Sequence, residues 1–255
     1  MRDETAARIV TGLARGPVAA TLVHGLERLA PWRRGMLAIL TYHRVDEPST
    51  RPELLPGLIS ATPAAFAAQV DDLARHYAPV SLAQVLDALE EPRRLPARAV
   101  LVTFDDAYAD FAEHAWPVLR AAAVPATMFV PTAYPDQDRG FWWDRLWHAL
   151  ATTTRDEVPD SPPGTLPLRT PTERAAAMAI LRDRLKGRPH DAAMSELDDL
   201  VAALSASAEP GATAGPGPSR NAVLGWDELR RLAAEGLTLA PHTRHHPLLD
   251  RVPLE

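Results

Sequence analysis

Ala99-Val100-Leu101-Val102-Thr103-Phe104-Asp105-Asp106 decides the fold. Ala99 to Phe104 is short, apolar and rich in β-branched and aromatic residues, so it reads as a buried strand. It ends abruptly in two adjacent carboxylates. If the backbone is extended there, Asp105 and Asp106 point in different directions and are free to take different roles.

Working outward, Asp106 to Ala123 has helical spacing through Phe111, Val118 and Leu119, with Pro117 interrupting it, and Ala126 to Pro131 is the next strand. On the other side, Met36 to Thr41 is a short apolar run leading into Tyr42-His43-Arg44-Val45. Thr62 is a good N-cap and Pro63 suits the first helical position; with Phe66, Val70 and Leu73 at helical spacing they predict a helix over 63–76. Ser81 and Gln84 have capping-box spacing ahead of a stripe of Leu82, Val85, Leu86 and Leu89. Strand, helix and strand in units of this length imply parallel pairing with crossover helices, hence an α/β sheet or barrel. In such folds chemistry sits at the carboxyl ends of strands, where Asp105 and Asp106 stand.

The chain has 255 residues, 46% of them hydrophobic, enough for one substantial core. The middle departs from the strand and helix rhythm. Tyr134 to Thr154 holds Phe141, Trp142, Trp143 and Trp147; Val158 to Pro171 is broken by Pro and Gly; Glu173 to Leu204 is Ala-rich and helical; Ala208 to Ser219 is low in complexity. Residues 135–222 therefore read as an insertion or lid within a domain spanning 36–255, preceded by an N-terminal helical segment over 1–35. Beyond the insertion, Trp226, Leu229 and Leu232 mark a helix stopped by Gly236, and Leu237 to Ala240 is a short strand that delivers His242. His242 and His246 lie between Pro241 and Pro247, so one helical turn would set both imidazoles on one side.

A net charge of −6 argues against nucleic acid as partner, and the pairs Arg33-Arg34 and Arg93-Arg94 read as solvated surface. The absence of cysteine removes disulfides, thiolate ligands and cysteine nucleophiles together, leaving any metal to His, Asp or Glu. No apolar stretch of secretory or spanning length follows the mixed-charge start, so the expected compartment is the cytoplasm. Ile9, Leu13, Val18, Leu22 and Leu26 give residues 6–29 an amphipathic character, interrupted by Gly12 and Gly16-Pro17. Packing on the parent domain is the favoured reading, with membrane or partner contact the alternative. The oligomeric state is not encoded legibly.

Two imidazoles and a carboxylate hold a zinc-like ion with positions left open for water and substrate, and a neighbouring Asp can take the water's proton. Each motif alone has an ordinary explanation: an Asp pair after a strand is often a helix cap. Together, in matching strand-end contexts, they point to a metal-dependent hydrolase.

These residues match a family. Thr103-Phe104-Asp105-Asp106-Ala107-Tyr108 with His242-Thr243-Arg244-His245-His246-Pro247 resembles the first two motifs of the polysaccharide deacetylases, the NodB-homology domain of carbohydrate esterase family 4. Tyr42-His43-Arg44-Val45, Pro125-Ala126-Thr127 and Trp142-Trp143-Asp144-Arg145-Leu146 resemble one branch of it. The resemblance implies a distorted (β/α) barrel that removes acetyl groups from N-acetylated sugars of a polysaccharide or glycolipid. By motif position it makes Asp105 the general base and Asp106, His242 and His246 the ligands of Zn2+, for which Co2+ or Ni2+ can substitute. It also suggests substrate contacts for His43 and Tyr108, although His43 reads equally as a satisfied residue under the rim and Tyr108 also as helix packing. Phe141, Trp142, Trp143 and Trp147 could stack on sugar rings, with core packing favoured.

Three departures stand out. Ala107 replaces the family's usual Gly after the Asp pair. His245 adds an imidazole beside the expected ligand. The sequence stops at Glu255, before the family's Arg/Pro, Asp/Trp and Leu-x-His motifs, so the barrel is expected to be incomplete at its C-terminus and without the family's general acid. Losing that acid costs roughly 10²–10⁴-fold in rate. The alternative function is therefore a catalytically inactive, truncated remnant with a sugar-binding or scaffolding role.

Overall fold

A computed structural model describes residues 36–90, 95–137, 140–159, 164–205 and 223–252. The expected amphipathic segment over 1–35, both arginine pairs and the low-complexity loop lie outside the described residues.

The scaffold is α/β. Its central sheet is parallel: β1 (Leu37–Tyr42), β5 (Ala99–Asp105), β6 (Ala126–Val130) and β9 (Thr238–Pro241) lie in the order β1-β5-β6-β9. β1 pairs along the whole of one edge of β5, from Leu37 opposite Ala99 to Tyr42 opposite Phe104. The short β4 (Ala78–Pro79) joins β5 at Ala99 and Val100, just before β6 takes over at Val102. β5 is the centre, and every residue from Ala99 to Phe104 is buried, as its uninterrupted apolar run requires. β2 (Arg44–Val45) and β3 (Ile59–Ala61) form a small parallel pair at the rim. Among the described residues the sheet does not close into a barrel; β1 and β9 are its outer strands.

Local chemistry explains the crossover helices. α1 (Pro63–His76) starts as expected: Thr62 Oγ1 accepts from Ala65 N at 3.2 Å, Pro63 occupies the first turn, and Phe66, Val70 and Leu73 face the core. α2 (Leu82–Glu90) follows a closed capping box, with Ser81 N donating to Gln84 Oε1 at 2.8 Å and Gln84 N to Ser81 Oγ at 3.3 Å. The helical stretch read over Asp106 to Ala123, with Pro117 interrupting it, is split and starts later than its spacing suggests. A loop leads instead to a π-helical turn over Phe111–Ala115, and α3 (Trp116–Ala121) begins afresh with Pro117 in its first turn, where its missing N–H costs nothing. No helix among the described residues is long and apolar enough to cross a membrane.

The insertion builds a second core. α4 (Trp142–Thr152), a two-strand ribbon of β7 (Glu157–Val158) and β8 (Leu166–Pro167), α5 (Pro171–Lys186) and α6 (His190–Ser205) pack Phe141, Leu146, Leu150, Leu168, Leu181 and Leu197 against one another. The Ala-rich run is two helices, because Gly187 and Pro189 interrupt it, and α5 opens with a capping box between Thr170 and Glu173. Phe141, Trp142, Trp143 and Trp147 are all buried there. The main core, around Phe66, Phe104, Phe111, Leu119 and Met128, fills the space between sheet and helices. The two cores touch at the sheet's carboxyl rim, since Ala107 belongs to the first and Tyr108 to the second.

The chain returns to the barrel side at Val223. Leu224 N donates to Ala107 O at 2.8 Å, and an isolated bridge joins Val223 to Tyr108. α7 (Trp226–Ala234) is capped from outside: Trp226 N donates to Asp136 Oδ1 at 3.2 Å, across a position where only Gly225 leaves room. A Cβ at 225 would stand 2.6 Å from that oxygen. α7 ends at Glu235 and Gly236, the latter with φ of 109°, and β9 follows.

Candidate active site

The carboxyl ends of β5 and β9 bring the two motifs together. Asp105 closes β5 and is half-buried; Asp106 is the first residue beyond it and is buried, its N–H donating to Phe129 O at 3.0 Å. The chain turns there through left-handed backbone, with φ of 72° at Asp106 and 54° at Ala107. Non-glycine residues enter that region at a cost of about 1–2 kcal/mol each. Ala107, standing where the family's usual Gly would be, therefore carries strain, while its methyl group is packed in the main core.

At the end of β9, His242 N donates to Val130 O at 2.8 Å. The next residues do not form the helical turn expected from the spacing. They make a loop with φ of 60° at Thr243 and 52° at His246, held against residues 132–134 by Thr132 N to Thr243 O (3.1 Å) and Ala133 N to Arg244 O (2.9 Å). Thr243 Oγ1 also accepts from His246 N at 3.0 Å. This loop sets the His242 and His246 rings 4.7 Å apart at 74°, and Trp143 presses edge-on against His246 at 4.9 Å.

Asp106, His242 and His246 thus converge, each offering one ligand atom within 4.8 Å of the others. Asp106 Oδ1 lies 3.3 Å from His246 Nε2 and 3.9 Å from His242 Nε2, and it is buried without a hydrogen-bond donor. A buried carboxyl oxygen without a hydrogen-bond partner is costly. In a tetrahedral zinc site, N and O ligands about 2.1 Å from the ion stand roughly 3.4 Å apart, so this set needs little adjustment to hold one. Burial, reinforced by the charges of Asp105 and Asp144 and opposed by Arg44, pushes the Asp106 carboxyl up to about 8. Burial, reinforced by His242, lowers His246 and so favours the neutral imidazole that metals bind. His245 does not join the cluster; its carbonyl accepts from Tyr134 Oη at 3.3 Å.

His43, at the end of β1, borders the same cavity as Asp106 and His246. Its backbone N–H is anchored on Ser60 Oγ at 3.0 Å, and burial lowers its pKa, with Asp105 opposing and His242 adding. Tyr108 is placed otherwise than a substrate contact requires. It is fully buried, its hydroxyl donating to Asp144 Oδ2 at 3.0 Å and accepting from Trp143 Nε1 at 2.8 Å.

Beneath the cluster is an ionic network whose pairing the motifs did not reveal. Arg44 is buried with its guanidinium 3.6 Å above the Tyr108 ring; it donates to Asp110 Oδ2 at 2.7 Å and lies 3.8 Å from Asp144 Oδ2. Asp110 Oδ1 also accepts from Val45 N at 2.9 Å. Burial raises both carboxyls, Asp144 to about 6, while Arg44 pulls them down. Arg44 and Asp144 were visible within two motifs, but nothing in either motif says that they meet. A groove of 1060 Å³ runs along β1, past Ile39 and Leu40, but none of the site residues borders it.

Residues 93–159 match the family model described as polysaccharide deacetylase, a stretch that takes in β5, the Asp pair and α4 and stops short of His242 and His246. The poly-beta-1,6-N-acetyl-D-glucosamine N-deacetylase of Escherichia coli (strain K12) is 31% identical over 96 residues, which are 38% of this chain and 14% of that protein. Among solved structures, a de-N-acetylase from Aggregatibacter actinomycetemcomitans aligns over 81% of this chain and 54% of its own, with 20% identity and a TM-score of 0.40. IcaB from Ammonifex degensii aligns over 43% and 46%, with 28% identity and a TM-score of 0.35. Over that shared segment, which holds the strand-end carboxylates, this chain is similar to the polysaccharide deacetylases, and it spans only a small part of the length of the curated relative it matches.

Proposed function

We propose that the chain is a metal-dependent hydrolase that removes acetyl groups from N-acetylated sugars of a polysaccharide or glycolipid. Asp106, His242 and His246 would hold zinc, or cobalt or nickel in its place, and Asp105 would be the base. The observation that carries this reading is Asp106 Oδ1, buried, without a donor, and facing two imidazole nitrogens. The family match over the Asp pair and the N-deacetylase name of the curated relative support the acetamido substrate.

A bound divalent ion would polarise the acetamide carbonyl and acidify the attacking water. The chain's own residues do the rest. Asp105, less enclosed than its neighbour, takes the water's proton as oxygen bonds to the carbonyl carbon. The C–N bond then breaks, and the same carboxyl returns that proton to the departing nitrogen, leaving acetate and a sugar amine. His43, which borders the same cavity as Asp106 and His246, would contact the sugar. Trp143 braces His246, and Trp143 and Asp144 together hold the Tyr108 hydroxyl, tying the segment after β5 to the insertion.

Calorimetric titration of zinc into the 255-residue chain is the test, alongside Asp106→Ala and His246→Ala, with acetate release from N-acetylglucosamine oligomers as the second readout. One tight site abolished by either substitution, together with acetate release, is the expected result. A folded chain with no saturable zinc site would overturn the reading.

A further inference from the structure

Beside the ligand cluster lies a cavity of 260 Å³ bordered by Asp106 and His246, by Trp143, and by one stripe of α5: Met178, Arg182 and Lys186. Their spacing sets all three on the same side of the helix. Met178 is buried in the second core, and the two cations extend the stripe along the cavity wall.

Those cations stand out in a chain of net charge −6. Two neighbouring arginines are spoken for: Arg184 and Arg188 both pair with Glu196, the latter at 2.5 Å. Among the described residues Arg182 reaches only the carboxylate of its own neighbour, Asp183, at 3.2 Å, in a pair exposed to solvent. Lys186 makes no ion pair with a described residue. Among the described residues, no carboxylate on the opposite side of the cavity pairs with either cation. A neutral acetamido sugar has no group that needs two cations.

We propose that this cavity takes N-acetylated sugars that carry an anionic substituent, phosphate or carboxylate. The acetamido group lies toward Asp106 and His246, and Arg182 and Lys186 meet the anion. The acetamido placement rests on the deacetylase reading; the anion preference rests on the insertion helix alone. A guanidinium receives either anion through paired N–H groups, and the ammonium adds a point charge. Trp143, buried in the second core, adds apolar wall where it borders the cavity. The insertion would thus select the substrate while the sheet rim performs the chemistry.

The test is calorimetric titration of the whole chain, freed of metal by chelator so that no ion can bind the anion directly. N-acetylglucosamine, N-acetylglucosamine 1-phosphate and N-acetylmuramic acid are compared at low and high salt, with Arg182→Gln/Lys186→Gln as the variant and circular dichroism as the folding check. At low salt at least one anionic sugar should bind about 10-fold more tightly than the neutral one, and whichever anion gains more identifies the substituent. The gap should shrink with salt and vanish in the folded double variant. Equal affinities, no binding of either anionic sugar, or a preference that survives the double substitution would each overturn the proposal. Acetate release from the same compounds by zinc-loaded chain separates the two readings. Anion preference without acetate keeps the binding site and removes the hydrolase; acetate without anion preference does the reverse.

Discussion

Asp106 shapes how the metal-free protein responds to pH. Its carboxyl is raised to about 8, so between pH 7 and 8 the folded chain holds a proton that the unfolded chain, at its ordinary value, has released. The stabilisation from that proton is complete in acid and is lost as pH climbs through 8. Asp144, raised to about 6, acts with the same sign at lower pH. His43 and His246 are lowered and act with the opposite sign, but an unfolded imidazole is already mostly neutral above pH 7, so their opposition is small there. Urea unfolding in chelator should therefore show stability falling by about 1 kcal/mol per pH unit from 7 to 8. Asp106→Asn should flatten that slope, and zinc should reverse it, because ion binding draws on the deprotonated forms. Arg44 makes a second prediction. Removing it as Arg44→Met leaves Asp110 and Asp144 buried without their cation and should cost about 3–5 kcal/mol in chemical denaturation. Arg44→Lys should recover only part, since an ammonium cannot reach both carboxylates and lie flat over Tyr108.

Single elements depend on caps that vary in how legible they are. The starts of α1 and α2 could be read from Thr62, Pro63, Ser81 and Gln84, because both caps are local and their spacing is their geometry. The start of α7 could not, since its capping carboxylate, Asp136, comes from the far side of the insertion. Gly225→Ala should push that carboxylate away and cost about 1 kcal/mol or more, measured as a lowered urea midpoint. The same division explains the site. β5 and β9 announce Asp106 and His242 because a strand's end is visible in sequence, and the three ligand candidates do converge. What lies around them was hidden. The Arg44 network, the cavity face of α5 and the left-handed turn through Asp106 and Ala107 are set by which elements pack together, and no local pattern encodes that.

At the scale of the molecule, two cores meet at a seam one residue wide. Ala107 faces one and Tyr108 the other, and Arg44 binds Asp110 from the barrel side and Asp144 from α4. The insertion is therefore expected to unfold with the central sheet rather than apart from it. Tryptophan emission, to which Trp142, Trp143 and Trp147 contribute from the second core and Trp116 from the first, should lose its native signal in one transition, at the same urea concentration as far-ultraviolet circular dichroism. Two separated transitions would show an autonomous insertion. The hydrogen bond from Leu224 to Ala107 gives this architecture an order in time. The turn bearing Asp106 is pinned by a segment synthesised only after the whole insertion, and its imidazole partners come later still. Loops of that length close slowly, so the last event in folding is the assembly of the cluster where, among the described residues, an ion would find three partners. Zinc should then leave the refolding rate unchanged and slow unfolding instead.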